Sequence, residues 1–170
     1  MRFEKGEYIM YGHNGICRVE DIIHPDIPGA DKGRLYYVLV PLAVKGNRIY
    51  FPIDKENVNA RRLISESEAW NFLDEIQDIQ ELKVDNEKLR EERYKEALNS
   101  GDRRQWVGIL KTLYRRKQTR LRQGKKAASV DERYMKMAEE ALYSELAFAM
   151  GKRKEEMLPL IREHLGKTKP

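Results

Sequence analysis

The glycines and prolines of this chain divide it near residue 64 into two parts with different structural requirements. Six of the eleven glycines and four of the six prolines lie in the first 60 residues, where they separate short runs rich in Ile, Val and Tyr. After Ser65 the capping patterns of helices take their place. Because closely spaced turns leave room only for short strands, we predict an α+β chain of two domains, with a β domain at 1–63 and an all-α domain at 64–170.

The first domain is predicted to be a small β barrel, and a resemblance described below implies the Tudor or SH3-like kind. Turns are expected at 12–15 and 45–47, because Gly and Asn accept positive φ at low cost, and an exposed loop is expected at 24–34. Five short strands in some sixty residues favour a closed or nearly closed barrel, since closure removes exposed edges. The expected strands are 8–11, 16–23, 35–42 and 48–53, with a fifth candidate near 58–63.

The second domain is predicted to contain four or five helices. Their boundaries follow from Ser, Asp and Asn at the starts and from Gly at the ends. The expected boundaries are Ser65 with Glu68 as a capping box, Asp85 or Asn86 up to Ser100, Asp102 up to Gly124, Ser129 with Glu132 as a second capping box up to Gly151, and a short last helix at 155–165.

The third of these helices carries an unusual charge pattern. Residues 103–126 include ten Lys or Arg and no Asp or Glu. Five apolar residues share one helical face and are expected in the core: Trp106, Ile109, Leu110, Leu113 and Tyr114. Four cations share the opposite face: Arg104, Lys111, Arg115 and Arg122. A charged face is often only solvated, but ten like charges without acidic partners inside the stretch repel one another, which makes a polyanion partner an equally good explanation.

The net charge of +5 is distributed unevenly between the two predicted domains. Residues 1–60 carry eight basic and eight acidic side chains, so of the 33 Lys and Arg and the 28 Asp and Glu, 25 and 20 lie after residue 60. This distribution favours a division of labour between the two domains, with the whole cationic surplus in the second.

Catalytic and cofactor-binding patterns are not recognisable in the sequence. The single cysteine, Cys17, lies in an apolar segment and is expected to be a buried small hydrophobe. The histidines, at 13, 24 and 164, lack the spacing of metal ligands, and no phosphate-binding loop occurs. We therefore expect a binding protein rather than an enzyme, with no cofactor, no metal, no small-molecule substrate and no membrane span, in the cytoplasm.

Several ordered motifs resemble the CarD family of bacterial transcription regulators, whose N-terminal module is shared with the transcription–repair coupling factor. The resemblance extends over residues 3–150. The N-terminal motifs are Phe3-x-x-Gly6-x-x-Ile9-x-Tyr11-x-x-x-Gly15, Tyr36-Tyr37-Val38-Leu39 and Ile49-Tyr50-Phe51-Pro52. The helical motifs are Ser100-Gly101-Asp102, Leu110-x-x-Leu113-Tyr114-Arg115-Arg116-Lys117, and Glu132-Arg133 followed by Ala138, Leu142 and Glu145-Leu146-Ala147.

The resemblance implies a Tudor-like barrel that docks on the β subunit of RNA polymerase, partly by strand pairing, and a helical domain that contacts promoter DNA to modulate initiation. The residues expected to contact polymerase are Arg48, Ile49, Tyr50 and Phe51. Those expected to contact the DNA backbone, without reading sequence, are Arg104, Lys111, Arg115, Arg122, Lys125 and Lys126.

The sequence departs from the family pattern at the start of the second helix and leaves two alternatives open. The family's tryptophan, a wedge at the DNA minor groove, falls on Glu87, or on Arg90 in a second alignment. A basic position beside the polymerase-contacting strand falls on Tyr50. The first alternative is a polymerase-binding adaptor or competitor without DNA binding. The second is an RNA-binding module, although the barrel offers few paired aromatic residues for stacking bases.

Overall fold

A computed structural model describes residues 3–26, 28–29, 31, 33–54 and 60–168 of the chain. Contacts between Cα atoms divide the chain into a first unit, Met1–Leu63, and a second unit, Ile64–Pro170. An antiparallel sheet occupies the first unit and helices occupy the second, so the chain has an α+β layout.

The first unit is built on one five-stranded antiparallel sheet. Its strands are β1 (Tyr8–Tyr11), β2 (Ile16–Ile23), β3 (Tyr36–Pro41), β4 (Ile49–Pro52) and β5 (Ala60–Arg62), in the order β4-β3-β2-β1-β5. The first two have the predicted bounds, because alternating apolar residues end there at turns. Residues 58 and 59 of the fifth candidate, and 27, 30 and 32 of the predicted loop, lie outside the described residues.

The sheet is curved, and its inner face forms the core of the first unit. Tyr11 of β1 and Phe51 of β4 have two strands between them in the sheet, yet their ring centroids are 5.5 Å apart. Phe3 and Tyr37 complete this aromatic cluster. Among the described residues, no hydrogen-bonded pairing joins the edge strands β4 and β5. The predicted five strands are therefore found as a curved sheet, without the pairing that would close a barrel.

Cys17 is fully buried on this inner face, as predicted from its apolar flanks. Burial raises the pKa of its thiol to about 11, because a thiolate there would lose its hydration. The residue therefore acts as a small core side chain.

The described part of the second unit contains five α-helices. They are α1 (Glu66–Glu75), α2 (Arg90–Asn99), α3 (Arg103–Arg122), α4 (Ser129–Met150) and α5 (Met157–Thr168). Short 3-10 turns precede α2 at Glu87–Leu89 and follow α1 at Ile76–Asp78. No helix in the described ranges combines the length and the apolarity that crossing a membrane requires.

The two predicted capping boxes have different outcomes. At α1 the Glu68 amide donates to the Ser65 hydroxyl (3.2 Å), and the Ser65 amide donates to the Glu68 carboxylate (3.1 Å). The box predicted at Ser129 is wrong, because α4 begins one residue earlier than expected. Its N-cap is Ala128, which has no side-chain acceptor, and Ser129 already lies inside the helix.

Helix α3 packs against α4 and α2, with Trp106 fully buried and its indole N–H donating to the Leu98 carbonyl (3.2 Å). The predicted apolar face is correct for Trp106, Ile109 and Leu113, but Tyr114 is 55% exposed. Thr112 is buried instead, because the chain between α1 and α2 covers that side of α3.

Glu145 of α4 is a fully buried carboxylate, and its burial was not predicted from the sequence. It accepts hydrogen bonds from the Ile64 amide (3.1 Å) and from the Arg103 guanidinium (3.2 Å). A buried carboxylate needs such partners, since an unpaired one would cost several kcal/mol, about 3–5. These bonds tie the start of the second unit and the first turn of α3 to α4.

Candidate functional site

Strand β4 forms one edge of the sheet in the first unit, and among the described residues it pairs only with β3. The Ile53 amide donates to the Leu35 carbonyl (3.0 Å). Because backbone groups of a strand alternate in direction, the amide of Phe51 also points toward β3, whereas Tyr50 and Pro52 point toward the open edge. Pro52 has no N–H, so Tyr50 supplies the donor at the centre of this edge.

The side chains of the four predicted polymerase contacts point to different sides of β4. Tyr50 is 40% exposed, and Arg48 is exposed in an ion pair with Glu20 of β2 (2.9 Å). A hydrogen bond from that guanidinium lowers the pKa of the Glu20 carboxyl. Ile49 is half-buried, and Phe51 belongs to the core. This corrects the expectation for Phe51, because its ring lies in the core and its backbone N–H and C=O point toward β3.

Two further apolar side chains lie at the end of the same hairpin. Leu42 and Val44, in the connection from β3 to β4, are each about half exposed, at 48% and 49%. Together with Arg48 and Tyr50 they form what we call the β4 edge surface. Exposed apolar side chains beside the unpaired edge of a strand are typical of a surface that binds protein.

In the second unit, two of the four predicted cations on α3 are ion-paired, one with the last residue of α1 and one with the chain that follows α1. The Arg104 guanidinium lies 2.7 Å from the Glu75 carboxylate, and that of Arg115 lies 2.6 Å from Glu81. This corrects the expectation of a face without acidic partners, because those partners come from outside the 103–126 stretch. All four side chains are substantially exposed, so each pair contributes at most about 1 kcal/mol.

Lys111 is directed inward on the same face of α3. Its ammonium donates to the carbonyls of Ile76 (2.5 Å) and Ile79 (2.6 Å), at the end of the 3-10 turn that follows α1. Burial lowers the pKa of this ammonium. Lys111 therefore fixes the connection between α1 and α2 to α3, which corrects its expected position on a free cationic face.

The remaining three predicted DNA contacts gather where α3 ends, at what we call the α3 terminus: Arg122, Lys125 and Lys126. All three side chains are exposed, and none forms an ion pair within the described ranges. Two hydrogen bonds hold the turn between them in place. The Lys125 amide donates to the Arg120 carbonyl (2.9 Å), and the Arg120 guanidinium donates to the Lys126 carbonyl (2.7 Å). The structure thus brings these three cations together and separates them from Lys111.

One charged cluster was missed by the sequence analysis. Arg90, Arg116 and the buried carboxylate of Asp131 meet where α2 and α4 begin. No local pattern could have revealed this cluster, because its members lie on three different helices and contact one another only after those helices pack.

Comparison with known proteins gives one match, and it falls on the first unit. Residues 3–64 match the family model of the CarD-like/TRCF RID domain, an RNA polymerase-interacting domain. No curated protein matches the chain. The matched range contains the curved sheet and the β4 edge surface and ends one residue beyond the first unit. This confirms, for the first unit, the resemblance drawn from the N-terminal motifs: residues 3–64 are a CarD-like/TRCF RID domain.

Proposed function

We propose that this protein regulates transcription by docking on the β subunit of RNA polymerase through its β4 edge surface and by contacting promoter DNA through its helical unit. The match of residues 3–64 to a polymerase-interacting domain carries this proposal. The domain supplies the interaction with polymerase, and the open edge of β4 supplies a physical mode for it, namely addition of a partner strand.

In this mode the affinity comes from two kinds of contact. The outward N–H and C=O of Tyr50 pair with a strand of the partner, and the exposed rings and alkyl groups of Tyr50, Leu42 and Val44 remove water from the contact. Arg48 adds a positive charge at the rim of the contact. Its exposed ion pair with Glu20 can be replaced by one with a carboxylate of the partner at little cost in free energy.

Substitutions at position 50 test this docking. Tyr50→Pro removes the outward N–H while leaving the bonds to β3, so we expect at least about a tenfold loss of affinity for core polymerase. Tyr50→Ala removes only the side chain and is expected to cost about 1–2 kcal/mol. The measurement is a titration of polymerase with each purified variant.

The control is Tyr8→Ala, at a partly exposed tyrosine of β1, an inner strand of the same sheet. Each variant must retain the far-ultraviolet circular dichroism and the melting temperature of a folded protein. Wild-type affinity in a folded Tyr50→Pro protein would exclude strand pairing at β4.

We propose further that the α3 terminus makes the main contacts with DNA phosphates. Arg122, Lys125 and Lys126 are the predicted cations that the rest of the described chain leaves exposed without an ion pair. Arg104 and Arg115 can join them by exchanging exposed carboxylates for phosphates, whereas Lys111 is directed toward its own chain. Such contacts give affinity and position but no sequence reading.

Neutralising the α3 terminus tests this proposal. The triple variant Arg122→Gln, Lys125→Gln, Lys126→Gln is expected to reduce the slope of log K for duplex DNA against log salt by about 2–3, since each phosphate contact contributes about one. The matched control, Lys83→Gln, Lys136→Gln, Lys152→Gln, makes the same change in net charge at exposed positions elsewhere in the second unit. Equal slopes for the two triple variants would exclude a contact at the α3 terminus.

A second candidate function is a polymerase-binding adaptor or competitor that does not contact DNA. The observation that favours it is the pairing of Arg104 and Arg115 with carboxylates and the inward direction of Lys111. Co-purification with polymerase, combined with no shift of forked promoter DNA at low salt, would select this candidate.

A further inference from the structure

Four charged side chains meet where α2 and α4 begin, beside the second half of α3. They are Glu87 in the 3-10 turn before α2, Arg90 at the start of α2, Arg116 on α3 and Asp131 in the first turn of α4. We call this group the two-arginine cluster. It shares no residue with the α3 terminus.

The inner side of the cluster holds both guanidiniums in position. Asp131 is only 4% exposed, and its Oδ2 accepts from Arg116 Nε at 3.0 Å, while its Oδ1 lies 3.5 Å from Arg90 Nη2. A buried carboxylate thus orients two arginines before any ligand arrives. Side chains that are already ordered lose little entropy when they bind, which favours tight contact with an oxyanion.

The outer side of the cluster is occupied by a carboxylate of the chain itself. Glu87 Oε2 lies 3.0 Å from Arg90 Nη1, and Glu87 Oε1 lies 3.8 Å from Arg116 Nη1. The Glu87 side chain is 71% exposed, whereas those of both arginines are 23% exposed. One exposed carboxylate therefore bridges two largely covered guanidiniums, and solvent screening makes that bridge easy to displace.

Two buried hydrogen-bond donors around the cluster have no acceptor in the described part of the chain: Arg90 Nε and the hydroxyl of Tyr94. Tyr94 is fully buried, and its pKa is raised first by burial and then by the charge of Asp131. Buried polar atoms are normally satisfied, so their accumulation at one place points to a group that is bound there in another state.

The charges of the cluster lead to the same conclusion. Two arginines balance Asp131 and Glu87, so withdrawal of Glu87 into solvent leaves one positive charge beside an ordered pair of guanidiniums. One singly charged phosphodiester would restore the balance. Paired guanidiniums also match the geometry of phosphate oxygens better than an ammonium would.

We propose that Arg90 and Arg116 form a phosphate-binding site, and that the Glu87 carboxylate occupies this site until an external phosphate displaces it. The chemistry is shared by free phosphate and by the backbone of a nucleic acid. The nucleic-acid source rests on the proposed function of the second unit, and in that case Glu87 weakens the contact with DNA by competing for the same guanidiniums.

The test uses the full-length protein and inorganic phosphate as the probe. Nitrogen-15 spectra of arginine side chains report binding at Arg90 and Arg116 during titration at constant ionic strength. Glu87→Gln, which keeps the shape of the side chain, is expected to lower the half-saturating phosphate concentration about fivefold, the upper end of what an exposed ion pair contributes. Glu92→Gln makes the same charge change at another exposed position of this segment and is expected to resemble the wild type.

A second variant keeps the charge and changes the geometry. Adding Arg90→Lys to Glu87→Gln preserves the positive charge but removes the planar guanidinium, so the gain in phosphate affinity should be lost. Retention of the full gain in this double variant would overturn the site, because it would reduce the effect to net charge alone.

Duplex DNA titrated against the same proteins identifies the source of the phosphate. If Glu87→Gln strengthens binding of both phosphate and DNA, the site takes a phosphodiester. If it strengthens phosphate binding alone while the wild type still binds DNA, the site takes free phosphate and its nucleic-acid role is overturned.

The same experiment separates this inference from the proposed function. A gain in phosphate affinity in a protein that binds no DNA would support the two-arginine cluster and remove DNA from the proposed function. Equal phosphate affinity in Glu87→Gln and Glu92→Gln would overturn the cluster as a binding site, whatever the affinity for DNA.

Discussion

At the scale of single residues, Lys111 shows how a cation in a basic stretch can serve the fold rather than a partner. Its ammonium donates to the Ile79 carbonyl at the end of a helical turn, and also to the Ile76 carbonyl, which accepts from the Ile79 amide as well (3.2 Å). Arg122, on the same face of α3 by sequence spacing, has no ion pair among the described residues. Two residues of similar charge on one helix therefore have different roles.

We expect Lys111→Met to lower the free energy of unfolding by about 1–3 kcal/mol, because it keeps the alkyl stem but removes the donor of the Ile79 carbonyl and one of the two donors of the Ile76 carbonyl. The matched control, Arg122→Met, removes a charge from an exposed side chain and should change the free energy of unfolding by no more than about 0.5 kcal/mol. Urea denaturation of both proteins measures the difference. Equal stability of the two variants would show that the inward bonds of Lys111 contribute nothing.

At the scale of elements, the close approach of the 79–82 segment to α3 depends on Gly108. The Leu82 amide donates to the carbonyl of Gly108 (3.3 Å) and to the hydroxyl of Thr112 (2.9 Å). A Cβ atom added at Gly108 would lie 3.2 Å from the carbonyl oxygen of Gln80. Because that atom is backbone, the whole segment would have to move.

Gly108→Ala is therefore expected to destabilise the protein by about 1–3 kcal/mol through overpacking, although alanine is favoured over glycine within helices by about 1 kcal/mol. Gly166→Ala in α5 is the control, since a Cβ there would meet nothing within 4 Å and should leave stability unchanged or raised. The melting temperatures of both variants, measured by thermal unfolding, test this difference in stability. A stabilising Gly108→Ala would mean that the segment is not packed against α3.

At the scale of the whole molecule, the division of charge predicts different salt dependence for the two proposed partners. Residues 1–60 are balanced at eight charges of each sign, whereas the surplus of +5 lies beyond them. Raising the salt concentration from about 50 to 200 mM should lower the affinity for DNA by roughly an order of magnitude or more, because bound counterions must be released from the phosphates.

The affinity for polymerase should fall much less over the same range, because the β4 edge surface relies on backbone bonds and apolar contact. Parallel titrations of the full-length protein with duplex DNA and with core polymerase measure both dependences. Equally steep dependences would contradict the assignment of protein binding to the first unit and DNA binding to the second.

The sequence by itself was sufficient for features that depend on neighbouring residues. The bounds of β1 and β2 and the capping box at Ser65 follow from alternation and from hydrogen bonds that span three residues, and the structure confirms them. The burial of Cys17 was predicted from its apolar flanks, and the motifs of residues 3–64 were sufficient to identify the family. Such features could be predicted because their physical causes lie within a few residues along the chain.

Only the tertiary structure decided which charges remain available to a partner. Helical spacing placed Arg104, Lys111 and Arg115 on one face of α3, but it could not show that 75–82 covers that face. Their partners lie 29 to 35 residues away in the sequence. The two-arginine cluster likewise joins residues from three helices. Ion pairs depend on distance in space, and that distance is fixed only when the helices pack.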